Sequence, residues 1–384
     1  MVYLDYNATT PLAAEAREAM RPYLEDDFGN ASSIHLAGRR ARAAVDDARE
    51  RLAARLKARP HELIFTSGGT EANNLAILGI ARKYRGRGRH LITAATEHHA
   101  VLHPFEHLAK HEGFELTVLP VDERGVVDPE ALRAAIRRDT ILASVMSANN
   151  ETGTRQDIAA LAKICREHGV FFHSDVIQTF GKEPLYPHEL GLDAISLAAH
   201  KFYGPKGAGL LWLRAGVSLE SIQYGGAHEN QRRPGTENVA AIAGMAAAAE
   251  LAGSGDLARI AGLRDALWEG IQTVCPDAIR NGHPAQCLAN TLNVSFPDAD
   301  GETLLAGLDL EGICVSSGSA CMVGSVQPSH VLLAMGLPPG LAGATVRFSL
   351  GKFNQPPDID KTLAALLRVW ERQREFPIAH EVLT

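Results

Sequence analysis

The stretch IAALAKICREHGVFFH, residues 158–173, decides the fold class. Residues 158–167 repeat apolar side chains at spacings of three and four, which predicts a helix, and residues 170–173 predict a buried strand. The same alternation runs from residue 62 to residue 213 and predicts further strands at 63–66, 90–94, 116–120, 142–146, 194–198 and 210–213. Strands that alternate with helices predict an α/β domain around a mostly parallel seven-stranded sheet. Ligands of such sheets bind at the carboxyl ends of the strands.

The pattern changes at a small, polar break at residues 253–256, which follows an alanine-rich helix. Beyond it the sequence predicts helices at 257–274 and 302–308, and strands at 291–296, 313–316 and 345–349. This is typical of a smaller α+β domain. We therefore expect a large domain at 15–253 and a small domain at 254–384, with an N-terminal segment at 1–14 associated with the small domain.

Composition excludes several classes of protein. Of the 384 residues, 46% are hydrophobic and 22% are charged, which is ordinary for a globular protein. The net charge of −7 argues against direct nucleic-acid binding or an anionic membrane surface. We find no apolar run of the roughly 20 residues that a membrane span needs, and no secretory signal. The five cysteines are scattered and odd in number, so we expect no disulfide framework and a reducing, cytoplasmic location. We also expect no metal site.

Three motifs follow predicted strand ends. TSGGTE, residues 66–71, combines small residues with a helix start, which suits a phosphate. Asp175 could face a protonated pyridine nitrogen, since a carboxylate at a buried strand end needs such a partner. Lys201, in the stretch AHKFYGPKG at 199–207, could form a Schiff base.

Each motif also has a plain structural interpretation. Thr70 and Asp175 could simply be helix N-caps, and Lys201 could be a solvated surface lysine. Taken together, however, a phosphate cradle, an acid for a ring nitrogen and a Schiff-base lysine are the parts that a pyridoxal-phosphate enzyme requires.

The whole chain resembles the class V, fold-type I pyridoxal 5'-phosphate enzymes, and among them the cysteine desulfurases of the NifS and IscS kind. The segments that carry this resemblance are YLDYNATTP at 3–11, FGNASSIH at 28–35, TEH at 96–98, NNETGT at 149–154, RPGTEN at 233–238 and VRFSLG at 346–351. So many segments in the same order are highly specific. One departure is Ala198, where the family often has Ser or Cys, so one hydrogen bond to the cofactor phosphate is expected to be missing.

The resemblance implies a role for each matching position. Lys201 would hold pyridoxal 5'-phosphate and shuttle the Cα proton, Asp175 would face the pyridinium nitrogen, and His98 would stack on the ring as an acid–base group. The other cofactor-binding positions would be Gly69, Thr70, Asn150, Gln178, His200 and, from the second subunit of a homodimer, Thr236. The substrate carboxylate would be bound by Arg347, Asn7 and Asn150.

The stretch VSSGSACMVGSVQPSH, residues 315–330, surrounds a single cysteine with small polar residues. Such a stretch cannot pack a core, so a surface loop is expected at 317–328 in the small domain. Taken alone, Cys321 could be an incidental thiol, whereas an accessible cysteine can also reach its thiolate form and attack. The resemblance implies that Cys321 removes sulfur from L-cysteine, leaving L-alanine and a persulfide. That sulfur would pass to a protein acceptor, such as an iron–sulfur scaffold.

Rival functions remain open at this point. A selenocysteine lyase or a class V aminotransferase would share the fold, although the long loop around Cys321 argues against both. The stretch HPFEH at 103–107 formally fits a zinc metalloprotease pattern but has no further support in the chain. A non-catalytic sulfur-binding or scaffold protein is a third possibility.

Overall fold

The computed structural model of the protein describes residues 1–251, 253, 257–317 and 328–375. The strands in this part of the chain are β1 Val2–Tyr3, β2 Leu63–Thr66, β3 His90–Ala94, β4 Glu115–Leu119, β5 Thr140–Ser144, β6 Phe171–Asp175, β7 Ala194–Ala198, β8 Gly209–Leu213, β9 Ile279–Asn281, β10 Thr291–Ser295, β11 Ile313–Cys314 and β12 Thr345–Ser349.

The α-helices of the same residues are α1 Ala14–Leu24, α2 Leu36–Arg55, α3 Gly69–Tyr84, α4 His99–His111, α5 Pro129–Ala135, α6 Ile158–Glu167, α7 Pro187–Leu190, α8 Val239–Leu251, α9 Leu257–Val274, α10 Gly301–Leu310, α11 His330–Ala334, α12 Pro339–Gly343 and α13 Pro356–Glu375. Short 3-10 helices lie at Pro60–Glu62, Ala199–Lys201 and His228–Gln231. None of the described helices is both long and apolar enough to cross a membrane.

A seven-stranded sheet in the order β2-β8-β7-β6-β5-β3-β4 forms the centre of the first unit. Its neighbours pair in parallel except at β8, which is antiparallel to both β2 and β7. Apolar side chains pack on both faces of this sheet, against α2, α6 and α8 on one side and α3 and α4 on the other. The predicted α/β class and the mostly parallel seven-stranded sheet are thus confirmed.

A second unit is built on the antiparallel sheet β12-β10-β9, which packs against α9, α10 and α13. The beginning of the chain joins this unit, because β1 pairs in parallel with β11 and Asp5 bridges to Ser349 at the end of β12. The domain boundaries after residues 14 and 253 stay a prediction.

Strand bounds differ from the sequence expectation by up to two residues. β5 ends at Ser144 rather than at residue 146, although Val145 and Met146 are buried. Val145 N donates to His173 O and Ser147 N to Asp175 O, so the chain continues beside β6 after the regular strand has ended. Because buried residues continue beyond the last strand hydrogen bonds of β5, the end of the apolar run does not mark the end of the strand.

Two of the plain structural interpretations are wrong. Helix α3 begins at Gly69 with Gly68 as its N-cap, so Thr70 lies inside the first turn. Asp175 is the last residue of β6 and caps no helix, since residues 176–179 form a turn and α7 begins only at Pro187.

The close approach of Gly209 to Gly68 yields a stability prediction. A Cβ at Gly209 would lie 2.5 Å from both the Cα and the C of Gly68, which are backbone atoms that cannot step aside. We expect Gly209→Ala to lower the free energy of unfolding by about 1–3 kcal/mol through overpacking. Thermal unfolding followed by circular dichroism measures the change.

The matched control is Gly262→Ala, in helix α9, where an added Cβ meets nothing within 4 Å. It should stabilise the helix by about 0.5–1 kcal/mol. Equal melting temperatures for the two variants would contradict the packing described at Gly209.

Candidate active site

A cavity of about 380 Å³ opens at the carboxyl ends of β6 and β7. Its wall combines residues from the large sheet, from the first ten residues of the chain and from β12. Among the predicted site residues it is lined by Asn7, Gly69, Thr70, His98, Asn150, Asp175, Gln178, His200, Lys201 and Arg347. The structure thus brings together side chains that are up to 340 positions apart in the sequence, and their roles stay predictions.

Two predicted site residues do not line this cavity. Thr236 is exposed and lines a separate hollow, together with Ser67 and Gly207. Cys321 lies outside the described residues.

The amine of Lys201 is held where β7 ends. Ala199–Lys201 forms a single 3-10 turn directly after the strand, which turns the side chain towards the first segment of the chain. Nζ donates to the carbonyl oxygens of Asn7 at 2.7 Å and Ala8 at 2.8 Å. A lysine held by main-chain carbonyls at a sheet edge is available to a carbonyl compound in the cavity.

Asp175 ends the neighbouring strand β6 and is 4% exposed. Its Oδ2 accepts from Asn73 Nδ2 at 2.7 Å and its Oδ1 accepts from Ile177 N at 3.0 Å. Burial raises the pKa of this carboxyl, against the lowering effect of these hydrogen bonds and of the charge on Lys201. A buried carboxyl of this kind is stabilised by a cationic partner, and a protonated pyridine nitrogen is one.

His98 is the N-cap of α4, and its Nδ1 accepts from Ala100 N at 3.0 Å. This hydrogen bond assigns the ring proton to Nε2 in the neutral imidazole. Burial lowers the pKa of His98 to about 4, assisted by the positive charge of Lys201 and by the neighbouring histidines. The ring is therefore neutral near pH 7.

The predicted phosphate cradle lies at the first turn of α3. A Cβ at Gly69 would come within 2.2 Å of Ile177 Cδ1, the end of a side chain on the cavity wall. Nearby, His200 Nδ1 is 3.1 Å from Thr9 Oγ1, and burial lowers the pKa of His200 to about 4. Main-chain N–H groups at the start of this long helix provide a favourable environment for an anion.

Arg347 projects from β12 and is 2% exposed. Its Nη2 forms an ion pair with Asp5 Oδ1 at 2.8 Å and its Nη1 donates to Asn150 O at 3.0 Å. Asn150 O also accepts from Asn7 Nδ2 at 3.2 Å. These contacts hold the guanidinium on the cavity wall in one orientation, which suits the recognition of a carboxylate.

Several residues near the cavity were given no functional role by the sequence analysis. His99 and His330 line it with ring centroids 4.6 Å apart, and His330 Nε2 lies 2.9 Å from Glu97 O. Glu97 is fully buried, which raises its pKa, and its Oε1 accepts from Met146 N. The only sequence signals near these positions are TEH at 96–98 and PSH at 328–330. Neither motif indicates which side chains are in contact.

The HPFEH pattern does not form a metal centre in the described ranges. No group of three or more His, Cys, Asp or Glu side chains there could hold a metal ion. His103 instead stacks on His99 with centroids 4.8 Å apart, and His107 lies 3.4 Å from Glu112.

The comparisons with known proteins agree with this architecture. Residues 2–362 match the family model described as aminotransferase class-V. A protein named cysteine desulfurase IscS, from Dictyoglomus turgidum, is 48% identical over 376 residues, covering 97% of this chain and 95% of the relative. A solved NifS-like protein superposes with a TM-score of 0.90 at 36% identity, covering 97% of this chain and 99% of its own.

A third relative, solved as SspA in complex with cysteine, has a TM-score of 0.83 at 35% identity and covers 92% of this chain and 100% of its own. The fold and the cavity define a pyridoxal-phosphate-dependent enzyme of the α/β class. Within that class, the chain belongs to the class-V aminotransferase family. The buried carboxyl of Asp175, the amine of Lys201 and the N-terminus of α3 fit this cofactor.

A buried histidine behind the site gives a pH prediction. His173 on β6 is fully buried between Ser144 Oγ at 2.8 Å and Ser196 Oγ at 2.9 Å, and burial lowers its pKa to about 3. Its unfolded pKa is about 6.5, so the stability it contributes is complete above that pH and is lost as the pH falls towards about 3. Replacing it by Asn should remove up to about 1.4 kcal/mol per pH unit from the acid-side slope.

Urea unfolding midpoints measured from about pH 7 down to about pH 4.5 test this prediction. The control is His61→Asn, at an exposed histidine, which should keep the wild-type slope. Parallel pH profiles for wild type and His173→Asn would show that the prediction is wrong.

Proposed function

We propose that the protein is a cysteine desulfurase, which converts L-cysteine to L-alanine and leaves the sulfur as a persulfide on Cys321. The observation that carries the proposal is the meeting of Lys201, Asp175 and Arg347 around one cavity. An amine, an acid for a ring nitrogen and a carboxylate-binding guanidinium are what an amino-acid substrate of a pyridoxal-phosphate enzyme needs. The relatives named cysteine desulfurase and the one solved with cysteine support cysteine as that substrate.

The residues that flank Cys321 support its role as the sulfur acceptor. On one side, Ser316 pairs with Arg347 through main-chain hydrogen bonds of 2.7 Å and 3.3 Å. On the other side, His330 lines the cavity itself. The described residues on both sides of Cys321 thus lie beside the cavity, which supports a role for this cysteine in the reaction there.

The mechanism follows from the positions of these groups. Pyridoxal 5'-phosphate, when bound, supplies an electron sink for the charge that develops at the substrate Cα. Lys201 removes the Cα proton, Arg347 holds the carboxylate, and the Nε2 proton of His98 is available to the carbon skeleton once the C–S bond has broken. The Cys321 thiolate then attacks the substrate sulfur, so that an S–S bond forms as the C–S bond breaks, and protonation of the carbon skeleton gives alanine.

Gly69, Thr70 and His200 would bind the cofactor phosphate, and Gln178 and Asn150 would lie beside the ring. Asn7 and Asn150 would assist Arg347 with the substrate. Thr236 is exposed and away from its own cavity, which supports a homodimer in which it reaches the cofactor of the second subunit. The sulfur acceptor that we propose is an iron–sulfur scaffold protein, and we propose a cytoplasmic location.

Product analysis with L-cysteine tests the proposed function. Wild-type protein should release alanine and gain one sulfur atom on the peptide that contains Cys321, as read by mass spectrometry. Loss of the nucleophile in Cys321→Ser should lower the rate of alanine release by more than about 100-fold.

The control is Cys287→Ser, at a partly exposed cysteine of the second unit, which should keep the wild-type rate. Normal alanine release by Cys321→Ser would contradict the proposal. If that variant also preferred selenocysteine as its substrate, the result would favour a selenocysteine lyase. If it preferred a keto acid as amino-group acceptor, the result would favour an aminotransferase.

A further inference from the structure

Lys182 lies behind the cavity wall, on the turn that follows β6. Its Nζ donates to Asn7 Oδ1 at 3.1 Å and to Gln178 Oε1 at 2.9 Å. Both amides are buried, at 1% and 4% exposure, and Lys182 itself is partly buried. Burial lowers the pKa of Lys182 to about 7, together with the positive charges of Lys201 and Arg347.

The donors on Lys182 determine how two amides are oriented. An ammonium group only donates hydrogen bonds, so the amide atoms that face it are oxygens. Asn7 Oδ1 also accepts from Asn290 Nδ2 at 2.9 Å, which fixes the same orientation a second time. The amide nitrogens of Asn7 and Gln178 are therefore turned away from Lys182.

Two chains of hydrogen bonds lead from these amides to the reacting groups. Gln178 Nε2 donates at 2.9 Å to Asn7 O, the same carbonyl oxygen that accepts from Lys201 Nζ at 2.7 Å. Asn7 Nδ2 donates at 3.2 Å to Asn150 O, which also accepts from Arg347 Nη1 at 3.0 Å. Both chains of hydrogen bonds therefore begin at the amine of Lys182.

We propose that Lys182 is a positioning residue, which orients the amides of Asn7 and Gln178 and through them places the Lys201 amine and the Arg347 guanidinium. The inference rests on the proposed function for what those two groups bind. Without a donor at position 182, Gln178 Oε1 loses its Lys182 donor and Asn7 Oδ1 keeps only its bond from Asn290. A flip of either amide would then oppose oxygen to oxygen at Asn7 O or Asn150 O. Buried acceptors that lose their donor are costly.

Lys182→Met tests the proposal, because it keeps the length of the side chain and removes every donor. The L-cysteine concentration that half-saturates the change in cofactor absorbance should rise by about tenfold, as for other residues that orient ligand-binding groups. The visible circular dichroism of the bound cofactor should also change, since its attachment point moves. The control is Lys57→Met, the same substitution at an exposed lysine that pairs with Glu189, and it should change neither signal.

A second variant, Lys182→Gln, keeps an N–H donor group on a shorter side chain and should give an intermediate rise of about threefold. Lys182→Gln tests the positioning role if Lys182→Met does not fold. Half-saturation within twofold of wild type and an unchanged dichroism band in the soluble variants would overturn the proposal. The proposal would also be overturned if both Lys182 variants were insoluble while Lys57→Met was soluble. Lys182 would then be required for folding.

These spectra need no turnover, which separates the two proposals. Wild-type protein that binds the cofactor and L-cysteine but forms no alanine would overturn the proposed function alone. Normal desulfuration with unchanged spectra in Lys182→Met would overturn the positioning role alone.

Discussion

The structure depends on the backbone carbonyl of Asn7, which accepts hydrogen bonds from both Lys201 and Gln178. The segment that carries it is fixed on two sides. Tyr6 N and Asn7 N donate to Ser349 at the end of β12, and Thr10 N donates to His200 O beside β7. This segment therefore joins the second sheet to the carboxyl edge of the first. A displacement at Asn7 would move the amine of Lys201 and the guanidinium of Arg347 together.

Charge balance constrains the same region. Lys201, Lys182 and Arg347 bring three cationic groups close together, and burial of unpaired charge is costly. The protein meets this cost in different ways. Arg347 pairs with Asp5, Lys182 has a lowered pKa, and the carbonyl oxygens of Asn7 and Ala8 solvate Lys201. A site that is rich in positive charge suits anionic ligands, such as a phosphate and a carboxylate.

Much of the fold could be predicted from local sequence. The strands Leu63–Thr66, Ala194–Ala198 and Thr345–Ser349 were predicted to the residue. The first two are apolar runs that begin after an acidic residue, Glu62 or Asp193, and end before a small one, Ser67 or Ala199. β5 was placed two residues late, since burial continues beyond its ladder.

Some residues of the site could be predicted from the sequence, and others could not. Asp175 ends one strand and Lys201 follows the next strand along the chain, so the sheet rule alone brings them to one edge. Asn7 and Arg347 could be assigned only through family resemblance, because their approach depends on the bridge between Asp5 and Ser349 from opposite ends of the chain. Lys182 was missed because a lysine after a glycine turn has the local pattern of a solvated side chain. Only the tertiary fold buries its amine.

The Lys201 amine is the group that we propose to hold the cofactor. Borohydride reduction of the cofactor-loaded protein, followed by digestion and tandem mass spectrometry, tests it most directly. The account predicts a phosphopyridoxyl group on Lys201 and an unmodified Lys182. A label on Lys182, or on no lysine of the cavity region, would contradict it.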